Sequence, residues 1–186
     1  MNQMTRITAA PAEGFAARFT TAKFLRMIEA GVFGDDKIEL IEGQLQRMPP
    51  PGNEHARFQA DVVGLLYGVV ARGLVRGEAG VELEEGTLVA FDAALLRAPV
   101  TGNRMLNPED VTMVVEVAET TLMRDLGLKR RKYAEAGIPT YWVVDPSRSV
   151  VHVYAEPIDG DYVDIHSVRF GRPLAVPGTD ATITLD

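Results

Sequence analysis

The chain has no cysteine among its 186 residues. Disulfides, thiolate metal sites and cysteine nucleophiles are therefore excluded, and any metal must be held by oxygen or by histidine nitrogen. Histidine is scarce, at three residues, so carboxylates are the main ligand supply and hard cations such as Mg²⁺ or Mn²⁺ the matching metals. No apolar run is long enough to cross a bilayer, and Met1 to Pro11 lacks the basic flank and apolar core of a signal peptide. A soluble, cytoplasmic protein is expected. An excess of positive charge is missing too: the formal net charge is −7, which argues against a broad electrostatic footprint for nucleic acid. The densest basic run, Lys129-Arg130-Arg131-Lys132, reads first as the solvated face of a helix.

What is present suits one α/β domain over residues 1–186, since 46% of the chain is apolar; residues 1–18 read as a flexible or peripheral arm. Thr20 or Thr21 can cap a helix through Glu29, which Gly31 would end. Lys37–Ile41 and Gln44–Met48 flank Glu42-Gly43 and predict a hairpin, and Pro49 to Pro51 stop its second strand. Helical spacing returns from Asn53 to about Val75, with Phe58, Val62, Leu65, Leu66 and Val69 on one stripe. Strands are expected at Val81–Glu84 and at Thr87–Leu96, with Asp92 inside the second. Residues 98–110, rich in Gly, Asn and Pro, read as a loop. The strand ending at Glu116, a helix from about Arg124 to Ala136 closed by Gly137, and the strand Thr140–Val144 suggest a parallel crossover. Val150–Tyr154 and Tyr162–Val168 extend the sheet in antiparallel fashion, and the tail from Leu174 to Leu185 reads as an edge strand. No internal repeat or low-complexity segment is found.

Glu116 is the residue that most needs explaining. It stands in Val114-Val115-Glu116-Val117, a run that would otherwise be wholly buried. A carboxylate there costs several kcal/mol, on the order of the effective desolvation penalty, unless a metal ion or a cationic side chain compensates. The ordinary reading is a structural ion pair with Lys129 or Arg131. Asp92 in a strand, and Asp125, Lys129 and Tyr133 on the following helix, are the neighbours that make chemistry worth weighing. His55, after a Pro-Gly turn, suits a capping position better than a place in a site; Tyr133, Tyr141 and Trp142 read as core, and His152 and His166 as ordinary strand residues.

Together these residues resemble a known family. Lys37-Ile38-Glu39-Leu40-Ile41-Glu42-Gly43, Pro51-Gly52 with nearby His55, Asp92, Val115-Glu116-Val117, Asp125 with Lys129 and Tyr133, and Gly137-Ile138-Pro139-Thr140-Tyr141-Trp142-Val143-Val144-Asp145 look like the Uma-type restriction endonuclease family of the PD-(D/E)XK superfamily. The resemblance runs from about Phe19 to Tyr162 and is strongest from Glu116 to Asp145. It implies a restriction-endonuclease-like mixed β-sheet flanked by helices. It also implies a site in which Asp92 and Glu116 hold a divalent metal, Glu39 completes the ligand set and Lys129 handles the attacking water. The chain departs from the superfamily pattern in two places: Phe91 precedes Asp92 where proline is usual, and Ala118 stands two after Glu116 where the lysine is usual. The family resemblance places that lysine on the next helix, at Lys129, with Lys132 as a less favoured substitute. Glu119 stands where a small polar residue is more usual.

The implied activity is Mg²⁺- or Mn²⁺-dependent hydrolysis of phosphodiester bonds in nucleic acid, DNA foremost. Such chemistry needs a hard cation held by carboxylates to stabilise charge on the phosphate and activate water, with a lysine supplying mobile positive charge. Two other readings stand beside it. One is a non-catalytic binding module on a degenerate nuclease fold, suggested by the acidic net charge and the missing proline; the other is a metal-dependent hydrolase of a small substrate, which a narrow pocket would favour. Duplex cleavage usually needs two sites, and twofold symmetry would supply the second, so a homodimer is expected.

Overall fold

The computed structural model describes residues 17–186; the arm expected over residues 1–18 lies almost wholly outside them. Helix α1, Thr21–Glu29, starts where the sequence places it, with Thr20 Oγ1 accepting the Lys23 backbone N–H at 3.2 Å. Strands β1, Ile38–Ile41, and β2, Gln44–Arg47, form the expected hairpin. Its turn residues Glu42 and Gly43 both take positive φ, 52° and 74°, the backbone a two-residue hairpin turn requires. Helix α2, Asn53–Val69, follows. It stops short of the expected Val75, because Arg72–Leu74 tightens into a 3₁₀ turn and β3, Val75–Arg76, joins a sheet.

Strands β4, Ala79–Glu84, and β5, Thr87–Phe91, pair with the hairpin in a four-stranded sheet of order β2-β1-β5-β4. The expected continuous strand from Thr87 to Leu96 is broken at Asp92: β5 belongs to this sheet, whereas β6, Ala93–Leu96, belongs to a second one. Asp92 is thus the pivot between sheets and not a mid-strand residue. At the break its Oδ2 accepts the Val117 N–H at 2.7 Å, a side-chain oxygen standing where a strand partner would offer a carbonyl.

The second sheet has six strands in the order β10-β9-β8-β7-β6-β3. Its remaining members are β7, Val111–Val117; β8, Thr140–Asp145; β9, Val150–Ile158; and β10, Asp161–Arg169. Strands β7 and β8 run parallel, as a helical crossover demands, and the other neighbours run antiparallel. The crossover begins slightly earlier than expected, as α3, Leu122–Arg124, passes through a π turn at Asp125–Lys129 into α4, Arg130–Glu135.

Side-chain alternation sends the two faces of this sheet into different cores. Val115, Val117, Trp142 and Val144 pack with Phe58, Val62 and Leu66 of α2. Val114, Tyr141 and Val143 pack with Tyr133 of α4 and with Ile41, Val81 and Phe91 of the smaller sheet. The tail is not an edge strand of either sheet. Its two short strands, β11 (Leu174–Ala175) and β12 (Thr182–Ile183), pair only with each other. Leu174, Val176, Ile183 and Leu185 of the tail are buried on the α2 side, while the intervening Ala175 and Thr182 stay exposed. The architecture is mixed α/β, with multi-stranded sheets flanked by helices.

Candidate active site

The cleft lies where the two sheets diverge. On β1, Leu40 turns toward α1 and joins Phe24 and Leu88, so its neighbours Glu39 and Ile41 must face the opposite way, into the space between sheets. Glu39 is accordingly 3% exposed. A carboxylate on a short strand would ordinarily face solvent, but here Glu39 Oε1 accepts the Ala90 N–H at 3.0 Å and Arg124 bonds its Oε2.

On β7 the same alternation turns Glu116 toward the crossover helix. There Asp125, Lys129 and Tyr133, spaced four apart, are all buried. The π turn carries the chain through this stretch with the Arg130 N–H reaching back to the Asp125 carbonyl, a wider turn of a kind often found at functional positions. The Lys129 ammonium lies 2.7 Å from Glu116 Oε1 and 3.0 Å from Glu39 Oε1, and donates to the Ala90 carbonyl at 2.9 Å. The Tyr133 hydroxyl donates to Glu116 Oε1 at 2.8 Å. The buried ion pair of the ordinary reading is therefore present, with Lys129 as its cation, and a second carboxylate shares that cation.

Asp92 faces the same cleft from the sheet junction. Its Oδ2 is 3.2 Å from His55 Nε2 as well as bonded to Val117, and Gln59 donates to its carbonyl at 3.0 Å. His55 thus looks into the site and does not act as a helix cap; Gly52 holds the cap position of α2. The cavity of about 450 Å³ is lined by Glu39, Asp92, Glu116, Asp125 and Lys129, with His55, Glu119 and Pro49 to Pro51 around it. Gly52 stands against the exposed Glu119 carboxylate at the rim, where an added Cβ would come within 2.7 Å of it and Glu119 would have to swing aside.

Burial sets the electrostatics. It pushes the Glu116 carboxyl well above the usual carboxylate range, against the pull of Lys129. It raises Asp125 too, again opposed by Lys129 and by the Thr121 hydroxyl, which donates to Asp125 at 2.5 Å. Burial also works against the Lys129 charge, but Glu116, then Glu39 and Asp125, outweigh it and hold the ammonium above the ordinary lysine value. The hydrogen bond to Asp92 raises His55 in spite of its burial. The cleft thus concentrates carboxylates around one buried ammonium. Among the described residues no three Asp, Glu or His side chains are already gathered into a metal cage. The donor chemistry nonetheless suits a hard cation, since Glu39, Asp92 and Glu116 offer only oxygen.

Of the basic run only Arg131 is exposed as a solvated helix residue. Lys129 is buried in the cleft, Arg130 pairs with Asp161 at 2.7 Å, and Lys132 sits among Glu42, Glu84 and Glu135 at 2.9, 3.1 and 2.8 Å. Lys132 therefore ties α4 to the smaller sheet's turns, away from the carboxylates of the cleft. Arg124 does not stand out in the sequence; a single arginine in the first turns of a helix carries no local signal, and only the fold brings it to Glu39. Asp125 did stand out in the helical pattern, but its burial depends on the π turn.

Among the described residues no helix is long and apolar enough to cross a membrane. No curated protein matches the chain significantly. A solved structure described as a "putative nuclease belonging to DUF820", from Anabaena variabilis ATCC 29413, matches with a TM-score of 0.64 at 19% identity, over 89% of this chain and 94% of that one; at that identity the likeness concerns the fold. A family model described as "Putative restriction endonuclease" matches residues 21–186, and the chain belongs to that family, Uma2.

Proposed function

We propose that the chain is a divalent-metal-dependent nuclease acting on nucleic acid, DNA foremost, with Asp92, Glu116 and Glu39 as metal ligands and Lys129 as the catalytic cation. The observation that carries this reading is convergence: four residues from β1, the sheet junction, β7 and the π turn line one cleft. A purely structural ion pair would need only two of them. Mg²⁺ or Mn²⁺, when bound, would polarise a phosphate oxygen and lower the pKa of its bound water.

The remaining roles follow from the contacts. Asp92 is held by the Val117 N–H and by His55, Glu39 by the Ala90 N–H, and Glu116 by the Tyr133 hydroxyl. Each carboxylate therefore enters the cleft with one oxygen oriented by a fixed donor. Lys129 keeps its positive charge among them and is placed to neutralise charge developing on a phosphate. We also infer a cytoplasmic, homodimeric protein, folded as one domain.

A second reading has an observation of its own. A cavity of about 450 Å³ falls within the range of small-ligand pockets, and Lys129, Arg130 and Lys132 are all engaged by carboxylates, which favours a metal-dependent hydrolase of a small phosphorylated substrate. One experiment separates the readings: incubation with Mg²⁺ or Mn²⁺ and a mixed panel of duplex DNA, single-stranded DNA, RNA and small phosphodiesters, beside Glu116→Ala. Cleavage of polymer that Glu116→Ala abolishes supports the nuclease. Turnover of small esters alone supports the second reading, and no metal-dependent turnover of any kind leaves the non-catalytic module.

A further inference from the structure

We propose that β10 is a self-association edge, pairing antiparallel with β10 of a second copy of this chain about a twofold axis through Ile165. Among the described residues, β10 ends the six-stranded sheet and pairs only with β9, so along its nine residues the backbone groups of every second residue face outward with no strand partner. Exposed edges of that length are normally blunted by charged side chains, lysine above all, by proline or by a covering element; the charges here, Asp161, Asp164 and Arg169, are of both signs. This one, Asp161-Tyr162-Val163-Asp164-Ile165-His166-Ser167-Val168-Arg169, contains neither proline nor lysine. Two of its apolar side chains stand in solvent, Val163 at 56% and Ile165 at 54% exposure.

The order of side chains selects the occupant. Turned through a twofold axis at Ile165, the strand sets Asp161 opposite Arg169, Asp164 opposite His166, Val163 opposite Ser167 and Ile165 opposite itself. Opposite charges therefore meet at both ends of the register, where the half-exposed Asp161 of each copy, which already pairs with Arg130 of its own chain, also faces Arg169 of the other, and such directly opposed pairs stabilise a sheet. Beside the centre, His166, which already meets Asp164 of its own strand at 3.2 Å, faces Asp164 of the other copy. A slip of two residues removes the match, placing either Asp164 or His166 against its own copy. An isologous interface requires a surface complementary to itself in this way. The result would be a continuous sheet through both copies with the two clefts outside the seam. This inference does not depend on the nuclease reading, and either can fail alone.

The absence of native cysteine allows a direct test by single-cysteine variants under mild oxidation. Ile165→Cys would bring two thiols onto directly opposed positions, about 4.5–5.5 Å apart at Cα, within reach of a disulfide. Val163→Cys or Ser167→Cys alone would hold its two copies four residues apart, about 13 Å along the strands, too far to bond; mixed together, the two should cross-link. In sedimentation, the wild-type chain should dimerise. Asp161→Arg and Arg169→Asp should each weaken dimerisation at least about tenfold, and an equimolar mixture of the two should restore it, since both cross-strand pairs are then complementary again. Thermal melting of each variant checks that it folds. A wild-type chain that is monomeric at submillimolar concentration, equal cross-linking by all three cysteine variants, or a dimer that neither charge variant weakens would overturn the proposal.

Discussion

Replacing Lys129 with methionine removes the one cation that Glu116 and Glu39 share while keeping a side chain of similar length. Lys129 is 3% exposed, with 2.7 and 3.0 Å to the two carboxylates and a further bond to the Ala90 carbonyl. Breaking a buried pair from one side strands charge, at a cost of about 3–5 kcal/mol. For a chain of this size that lowers the melting temperature by roughly 6–20 °C, at about 2–4 °C per kcal/mol. Adding Glu116→Gln to Lys129→Met should return part of the loss, because one uncompensated charge is gone; a coupling of about 1–3 kcal/mol is expected for groups in direct contact.

The pH dependence has a definite sign. Burial already raises the Glu116 carboxyl, and without Lys129 the rise is larger. A carboxyl whose folded pKa exceeds its unfolded value favours the native state below the unfolded pKa, and that contribution is lost as pH climbs through the folded pKa. The deficit of Lys129→Met against wild type should therefore shrink between neutral pH and about pH 5, approaching the unfolded glutamate value. Urea unfolding of the wild type, both single variants and the double variant at several pH values measures all of this. A Lys129→Met protein within about 0.5 kcal/mol of wild type, the range of ordinary surface changes, would refute the seating of the ammonium between the carboxylates. Strict additivity with Glu116→Gln would refute it as well.

Mg²⁺ or Mn²⁺ should raise the melting temperature of the wild type, by about 2.7 kcal/mol of stability at a hundred times Kd, and Asp92→Asn should abolish the rise; an identical shift in that variant would remove Asp92 from the ligand set. Lys132→Ala should keep metal response and any turnover, losing about 1 kcal/mol or less, because its carboxylate partners are half exposed; loss of activity would transfer the role of Lys129 by one helical turn. Gly43→Ala should destabilise by about 1–3 kcal/mol in chemical denaturation, since φ is +74° and the added Cβ would lie 2.7 Å from Arg18 and 3.2 Å from the Phe19 carbonyl. Although burial opposes it, the Ser147 hydroxyl and the Arg148 N–H hold the buried Asp145 carboxyl below its ordinary range. Its stabilisation should thus be present above the unfolded aspartate pKa of about 3.9 and fade as pH falls through the lower folded value, so Asp145→Asn should cost stability at neutral pH and little near that lower limit.

Patterns that live within a few residues were legible without coordinates. The cap at Thr20 and the positive-φ turn at Glu42-Gly43 follow from capping and turn chemistry, which need no distant partner. The anomaly of Glu116 was legible for the same reason, as a charge inside a β-branched run. The parallel pairing of β7 with β8, whose partners lie 27 residues apart, was legible from the order strand, helix, strand. Burial of Glu39, the turning of His55 toward Asp92 and the arrival of Arg124 were decided by tertiary structure alone, because each depends on a partner between 37 and 85 residues away. The break at Asp92 and the docking of the tail on α2 belong to the same class. A strand of alternating residues looks identical whether it continues, changes sheet or covers a face. Which of these occurs depends on where apolar surface from elsewhere in the chain still needs to be removed from water.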